Sequence, residues 1–157
     1  MASLSTNIQK GFLIFFVALI LVAAVFVSTK KISPISLKIW GDINTRSDVA
    51  LQGYDPVAFY TQNKAVMGVE AFTYQWQEVQ WQFENQQNKQ AFIEQPEKYA
   101  PQYGGYCSFA VSQGVTADIN PQVWHLENQK LYLFMDEGVK SEWLKGSGRV
   151  LADANWL

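Results

Sequence analysis

The only cysteine of the chain, Cys107, closes the segment YAPQYGGYC (Tyr99–Cys107), where three tyrosines, a proline and two adjacent glycines surround one thiol. The only histidine, His125, lies in NPQVWHL (Asn120–Leu126). Thiolate and imidazole are the donors that copper(I) and related transition metals take, so Cys107 and His125 are candidate metal ligands. A carboxylate such as Asp55, Glu84 or Asp118, or a second copy of the chain, would have to complete the set. One Cys and one His cannot close a four-ligand structural zinc site. The same pair admits nucleophilic chemistry, with a Cys107 thiolate, His125 as base and Asp118 orienting it. No peptidase or thiol-transferase signature surrounds them, and a lone cysteine cannot cycle as a Cys-x-x-Cys pair does, so the expectation is a protein that is not an enzyme. The structural alternatives are a small buried hydrophobe for Cys107 and a core-edge imidazole between Trp124 and Leu126 for His125.

A third chemistry is non-covalent. Tyr54, Tyr60, Tyr99, Tyr103 and Tyr106 can line a shallow aromatic pocket beside the Gly104-Gly105 bend, and Tyr54, Asp55, Tyr103 and Tyr106 are the candidate ligand-binding residues. Tyrosine also fills cores with its hydroxyl at an edge. Asp55-Pro56 matches a helix start, with Asp as cap and Pro at the first helical position.

Short elements must position these residues. Phe72, Tyr74 and Trp76 alternate with polar residues, as do Val79, Trp81 and Phe83, around Gln77-Glu78, which predicts a hairpin with an aromatic face. Asn85 caps a helix to about Gln95, stopped by Pro96. The pattern then predicts a short helix over Gly105–Gln113 ended by Gly114. A second hairpin joins Val123–Glu127 to Lys130–Met135 through Asn128-Gln129, Asp136 caps a helix carrying Val139, Trp143 and Leu144, and Ser147–Trp156 forms a last one. The expected fold class is α+β: a small antiparallel sheet of hairpins with short interleaved helices, preceded by one N-terminal transmembrane helix.

That helix is read from Gly11–Thr29, which holds no charged residue. At ~1.5 Å per residue it reaches roughly 28 Å, close to the hydrocarbon thickness of a bilayer. No small-x-small cleavage site follows it, so it reads as an anchor or uncleaved signal in contact with membrane lipid. Residues 1–10 form a tail, 11–29 the anchor, 30–47 a juxtamembrane linker with Trp40 as an interfacial residue, and 48–157 the folded domain. Lys30, Lys31 and Lys38 follow the span and only Lys10 precedes it, which by charge bias favours a cytoplasmic domain. In 157 residues the net charge is −2, and the basic residues are scattered, which argues against a nucleic-acid partner.

Several phrases occur in order: GYDPVAFY (Gly53–Tyr60), FIEQPEKYAPQYGGYC (Phe92–Cys107), NPQVWHL, KLYLF (Lys130–Phe134) and ADANW (Ala152–Trp156). Over residues 49–157 the chain resembles the YHS domain family, in its extended form found in small exported or membrane-anchored bacterial proteins. The resemblance implies a compact α+β domain on the periplasmic or outer face of the membrane. It also implies a role in binding or homeostasis of copper or another heavy metal, with a metal-transport or other membrane protein as partner. The chain departs from the pattern of the shorter metal-associated members: Ala58 follows Asp55-Pro56-Val57, and Glu84 follows Trp81-Gln82-Phe83, where those members carry cysteines. The alternative is a non-catalytic module for a protein or small ligand.

Overall fold

A computed structural model describes residues 2–37 and 39–156, in two compact units, Met1–Ile32 and Ser33–Leu157. The first is α1 (Ala2–Lys30), of which Gly11–Lys30, 20 residues, is long and apolar enough to cross a membrane. Phe12, Leu13, Ile14, Phe15 and Phe16 are all exposed, as are Leu19 to Val22 and Val25 to Val27. A helix that is apolar all round has no polar face to offer water. Its end is a Schellman motif: Lys31 turns left-handed at φ 53°, the Ile32 N–H donates to the Val27 carbonyl at 3.0 Å, and the Lys31 N–H donates to Ser28 at 3.3 Å.

The second unit opens with β1 (Ser33–Pro34), β2 (Thr45–Arg46) and β3 (Val49–Ala50), then α2 (Pro56–Thr61), β4 (Val69–Trp76), β5 (Val79–Phe83), α3 (Gln86–Glu94) and α4 (Pro96–Tyr99). It continues with α5 (Ser108–Ser112), β6 (Val115–Thr116), β7 (Asn120–Glu127), β8 (Lys130–Phe134), α6 (Glu137–Lys145) and α7 (Gly148–Trp156). The α+β class is as expected. One sheet runs in the order β2-β3-β5-β4, antiparallel except where Val49 pairs with Gln80 in parallel. The ladders β7-β8 and β1-β6 are separate. Ser47-Asp48, Gln77-Glu78 and Asn128-Gln129 each join two strands with both residues at positive φ, the backbone of a primed two-residue turn, which follows the right-handed strand twist.

Phe92 of α3 is the hub of the first hairpin's aromatic face. Its ring centroid lies 5.0 Å from Trp81, 5.2 Å from Phe83 and 5.6 Å from Trp76. Asn85 caps α3 by accepting from the Asn88 N–H at 2.9 Å, and Asp136 caps α6 through Val139 at 2.9 Å.

Two expectations change. The segment 30–47 is largely part of the fold rather than a linker: the compact unit begins at Ser33, Ser33 pairs with Thr116, and Ile43 and Asn44 are buried. The helix expected from Gly105 begins at Ser108. Tyr103, Gly104 and Gly105 are all left-handed, at φ 55°, 59° and 77°, which no right-handed helix can include.

Candidate functional site

The left-handed run Tyr103–Gly105 is the sharp bend that the glycine pair announces, and the segment around Asp42 lies directly on it. A Cβ on Gly104 would stand 1.8 Å from the Asp42 carbonyl oxygen. The Asn44 N–H donates to the Gly104 carbonyl at 2.8 Å, and its side-chain amide donates to the Gly105 carbonyl at 3.2 Å and to Asp118 Oδ1 at 3.1 Å. The Tyr106 hydroxyl donates to the carbonyls of Trp40 at 2.9 Å and Gly41 at 3.1 Å. Backbone and side chains of YGGY thus bind the incoming chain to the domain.

Beside this clamp opens a cleft of about 760 Å³, inside the range of roughly 300–1,000 Å³ of small-molecule sites. Trp76, Trp81, Tyr103 and Trp156 give it aromatic walls, and Asp42, Glu97 and Asp153 give it carboxylates. Trp156, at the end of α7, meets Tyr103 at a centroid distance of 6.1 Å and Tyr106 at 6.0 Å. The Tyr103 hydroxyl donates to Asp153 Oδ1 at 2.8 Å. Burial first, and then this carboxylate, push the Tyr103 hydroxyl far above its ordinary pKa, so it acts as a fixed neutral donor.

Of the candidate ligand-binding residues, only Tyr103 lines the cleft. Tyr106 is fully buried, its pKa pushed up to about 12 by burial and then by the charges of Asp42 and Asp118. Tyr54 accepts from the Gln122 amide at 3.2 Å. Asp55 is 0% exposed and caps α2, as the Asp-Pro pair implies: Oδ1 accepts from the N–H groups of Val57 at 2.8 Å and Ala58 at 3.3 Å, while Oδ2 accepts from the Glu84 N–H at 2.9 Å and the Asn88 amide at 2.6 Å.

The candidate metal ligands are not brought together. Cys107 is 0% exposed; its backbone bridges Leu133 of β8, which pairs on its other side with Trp124 of β7. Cys107 and β7 therefore flank β8, about 9–10 Å apart. His125, the residue after Trp124, faces the opposite side of the ladder from Leu133 and its partners. Burial above all raises the Cys107 thiol pKa, against backbone hydrogen bonds from Ala110, Met135 and Phe109, which favours the neutral thiol over the thiolate a metal binds. Among the described residues no three His, Cys, Asp or Glu side chains converge as metal ligands.

Asp118 is a structural junction. Beyond Asn44, it accepts from Gln52 at 3.2 Å, from the Ile119 N–H at 2.9 Å and from Arg46 at 3.0 Å. Burial raises its pKa, but Asn44, Ile119, Gln52 and Arg46 together outweigh burial and lower it below the ordinary value of 3.8. A depressed carboxylate contributes stability that is complete above its unfolded pKa of about 3.9 and lost as pH falls through the lower folded value. Urea unfolding midpoints of the native chain and Asp118→Asn are therefore expected to differ by a constant amount from pH 7 down to about 5, and to converge below about 4. A gap that persists unchanged into that acid range is the contrary result.

The sequence reading missed Trp76 and Trp156 as wall residues and Asp153 as an anchor for Tyr103. Trp156 carried a usable signal, an indole in ADANW at the end of a short amphipathic helix. No family model, curated protein or solved structure matches the chain.

Proposed function

We propose that the protein is a membrane-anchored, YHS-like module that binds a small ligand in the aromatic and acidic cleft without transforming it. The observation that carries this reading is the cleft, where four aromatic rings and three carboxylates from distant parts of the chain line one volume of about 760 Å³. Aromatic walls with a few placed polar groups are the common make-up of small-molecule sites. Copper or another metal on Cys107 and His125, the other implication of the YHS resemblance, has less support, since a buried neutral thiol and a histidine on the far face do not offer a shared coordination sphere. α1 would hold the domain at the bilayer, with the domain on the extracytoplasmic side as the resemblance implies. An active C-terminal alkaline phosphatase fusion supports that side, and an inactive one reverses it.

Tryptophan fluorescence and thermal unfolding of the full chain in neutral maltoside micelles test the reading against a panel of cationic, anionic and neutral small molecules. A saturable ligand is expected, with affinity reduced at least about tenfold in Trp156→Ala as one aromatic wall is lost. A panel without any saturable ligand overturns the reading. So does tight copper(I) binding that disappears in both Cys107→Ser and His125→Ala, which establishes the metal role instead.

A further inference from the structure

We infer that the ligand of this cleft is a small organic cation of the quaternary-ammonium or alkylamine class; the inference rests on the small-ligand reading above. Asp42, Glu97 and Asp153 line the cleft, and among its described lining residues there is no lysine, arginine or histidine. Arg149, whose charge reaches Tyr103, is paired with Glu127. The walls share the sign of the carboxylates, because the face of an aromatic ring carries the negative end of its quadrupole. Tyr103 and Trp156 meet at 68°, and Trp76 and Trp81 at 60°. Trp81 and Tyr103 are buried, Trp81 against Phe92 at 5.0 Å and 31°, whereas Trp76 and Trp156 are half-buried, so these two indoles present the aromatic surface that a third group can reach.

The alternatives fare worse on the same residues. An anion meets repulsion from both the carboxylates and the ring faces. A neutral apolar ligand strips water from carboxylates and returns no partner. A cation with an apolar shell satisfies both sets of groups at once, with its methyl or methylene surface on indole and its charge beside the carboxylates.

The probe is choline, compared with its uncharged isostere in which a tert-butyl group replaces trimethylammonium. Both are titrated into the full chain in maltoside micelles, with tryptophan emission and calorimetry as readouts. Choline is expected to bind saturably and at least about tenfold more tightly than the isostere. Glu97→Gln and Asp153→Asn are expected to weaken choline by about threefold or more each, to reduce its salt dependence, and to weaken choline more than the isostere. Equal affinities of choline and isostere overturn the charge inference but leave the small-ligand reading intact. If neither binds while another panel member does, the cation class is wrong and the cleft reading survives; if nothing in the panel binds, both fail. Free and lipid-borne ammonium groups are separated by repeating the titration in nanodiscs. Weaker choline binding in phosphatidylcholine than in phosphatidylglycerol discs identifies the headgroup as competitor, and equal binding identifies the free cation.

Discussion

Gly104→Ala is expected to destabilise the domain by about 2–5 kcal/mol and to abolish ligand binding in the cleft. Two costs add. Gly104 sits at φ +59°, where an L side chain costs roughly 1–2 kcal/mol. The new Cβ would also lie 1.8 Å from the Asp42 carbonyl oxygen, and overpacking of this kind costs about 1–3 kcal/mol even when neighbours can move. A backbone carbonyl cannot rotate away as a side chain can, so the segment near Asp42 must lift, taking with it the Asn44 hydrogen bond to Gly104 and one carboxylate of the cleft. Gly114→Ala separates the two costs. Gly114 has a similar φ of +78° but nothing within 4 Å of its Cβ position, so only the backbone cost of roughly 1–2 kcal/mol is expected there, with ligand binding unchanged. Urea unfolding of both variants followed by tryptophan emission reads the difference. Equal losses at the two glycines would mean that the Asp42 segment yields freely and that no clamp exists.

The clamp marks the border between what the chain announces and what it conceals. Asn85 and Asp136 were legible as helix caps because a cap is decided within four residues, and the two hairpins because alternation around Gln77-Glu78 and Asn128-Gln129 is a local signal. The two-residue strands β2 and β3 are too short for any period. The pairing of Ser33 with Thr116, whose hydroxyls meet at 3.0 Å across 83 positions, leaves no local trace, and so the segment 30–47 read as linker. The glycine pair correctly marked the bend, but three successive left-handed residues displaced the start of α5 beyond the expected Gly105. The site followed the same rule. Tyr103 was identified from its neighbours in sequence, whereas Tyr106, equally close to the glycines, spends its hydroxyl on the carbonyls of Trp40 and Gly41. Trp76 and Trp156 reach the cleft from a hairpin end and a terminal helix, a convergence that only the tertiary fold creates.

Asp55→Ala is expected to cost about 3–5 kcal/mol, the loss typical of stripping a buried charged acceptor from its partners. The carboxylate is 0% exposed, so no water stands ready to replace it, and its removal orphans the Val57, Ala58 and Glu84 N–H groups together with the Asn88 side-chain amide. Those donors belong to the first turn of α2, the exit of β5 and the first turn of α3, so one side chain joins three elements. Asp55→Asn tests the division of labour. Its remaining oxygen can still cap α2, but the amide that replaces the other oxygen faces two donors, and a loss between those of native and alanine is expected, about 2–3 kcal/mol. The consequence reaches the cleft through α3: Phe92, held at that helix, supports Trp76 and Trp81, which are cleft walls. Asp55→Ala is therefore expected to lower ligand affinity as well as the unfolding midpoint, although Asp55 is not among the residues that line the cleft. A variant less stable than native by under about 1 kcal/mol would show an ordinary exposed cap. A destabilised variant with native affinity would show that the aromatic walls are held without α3.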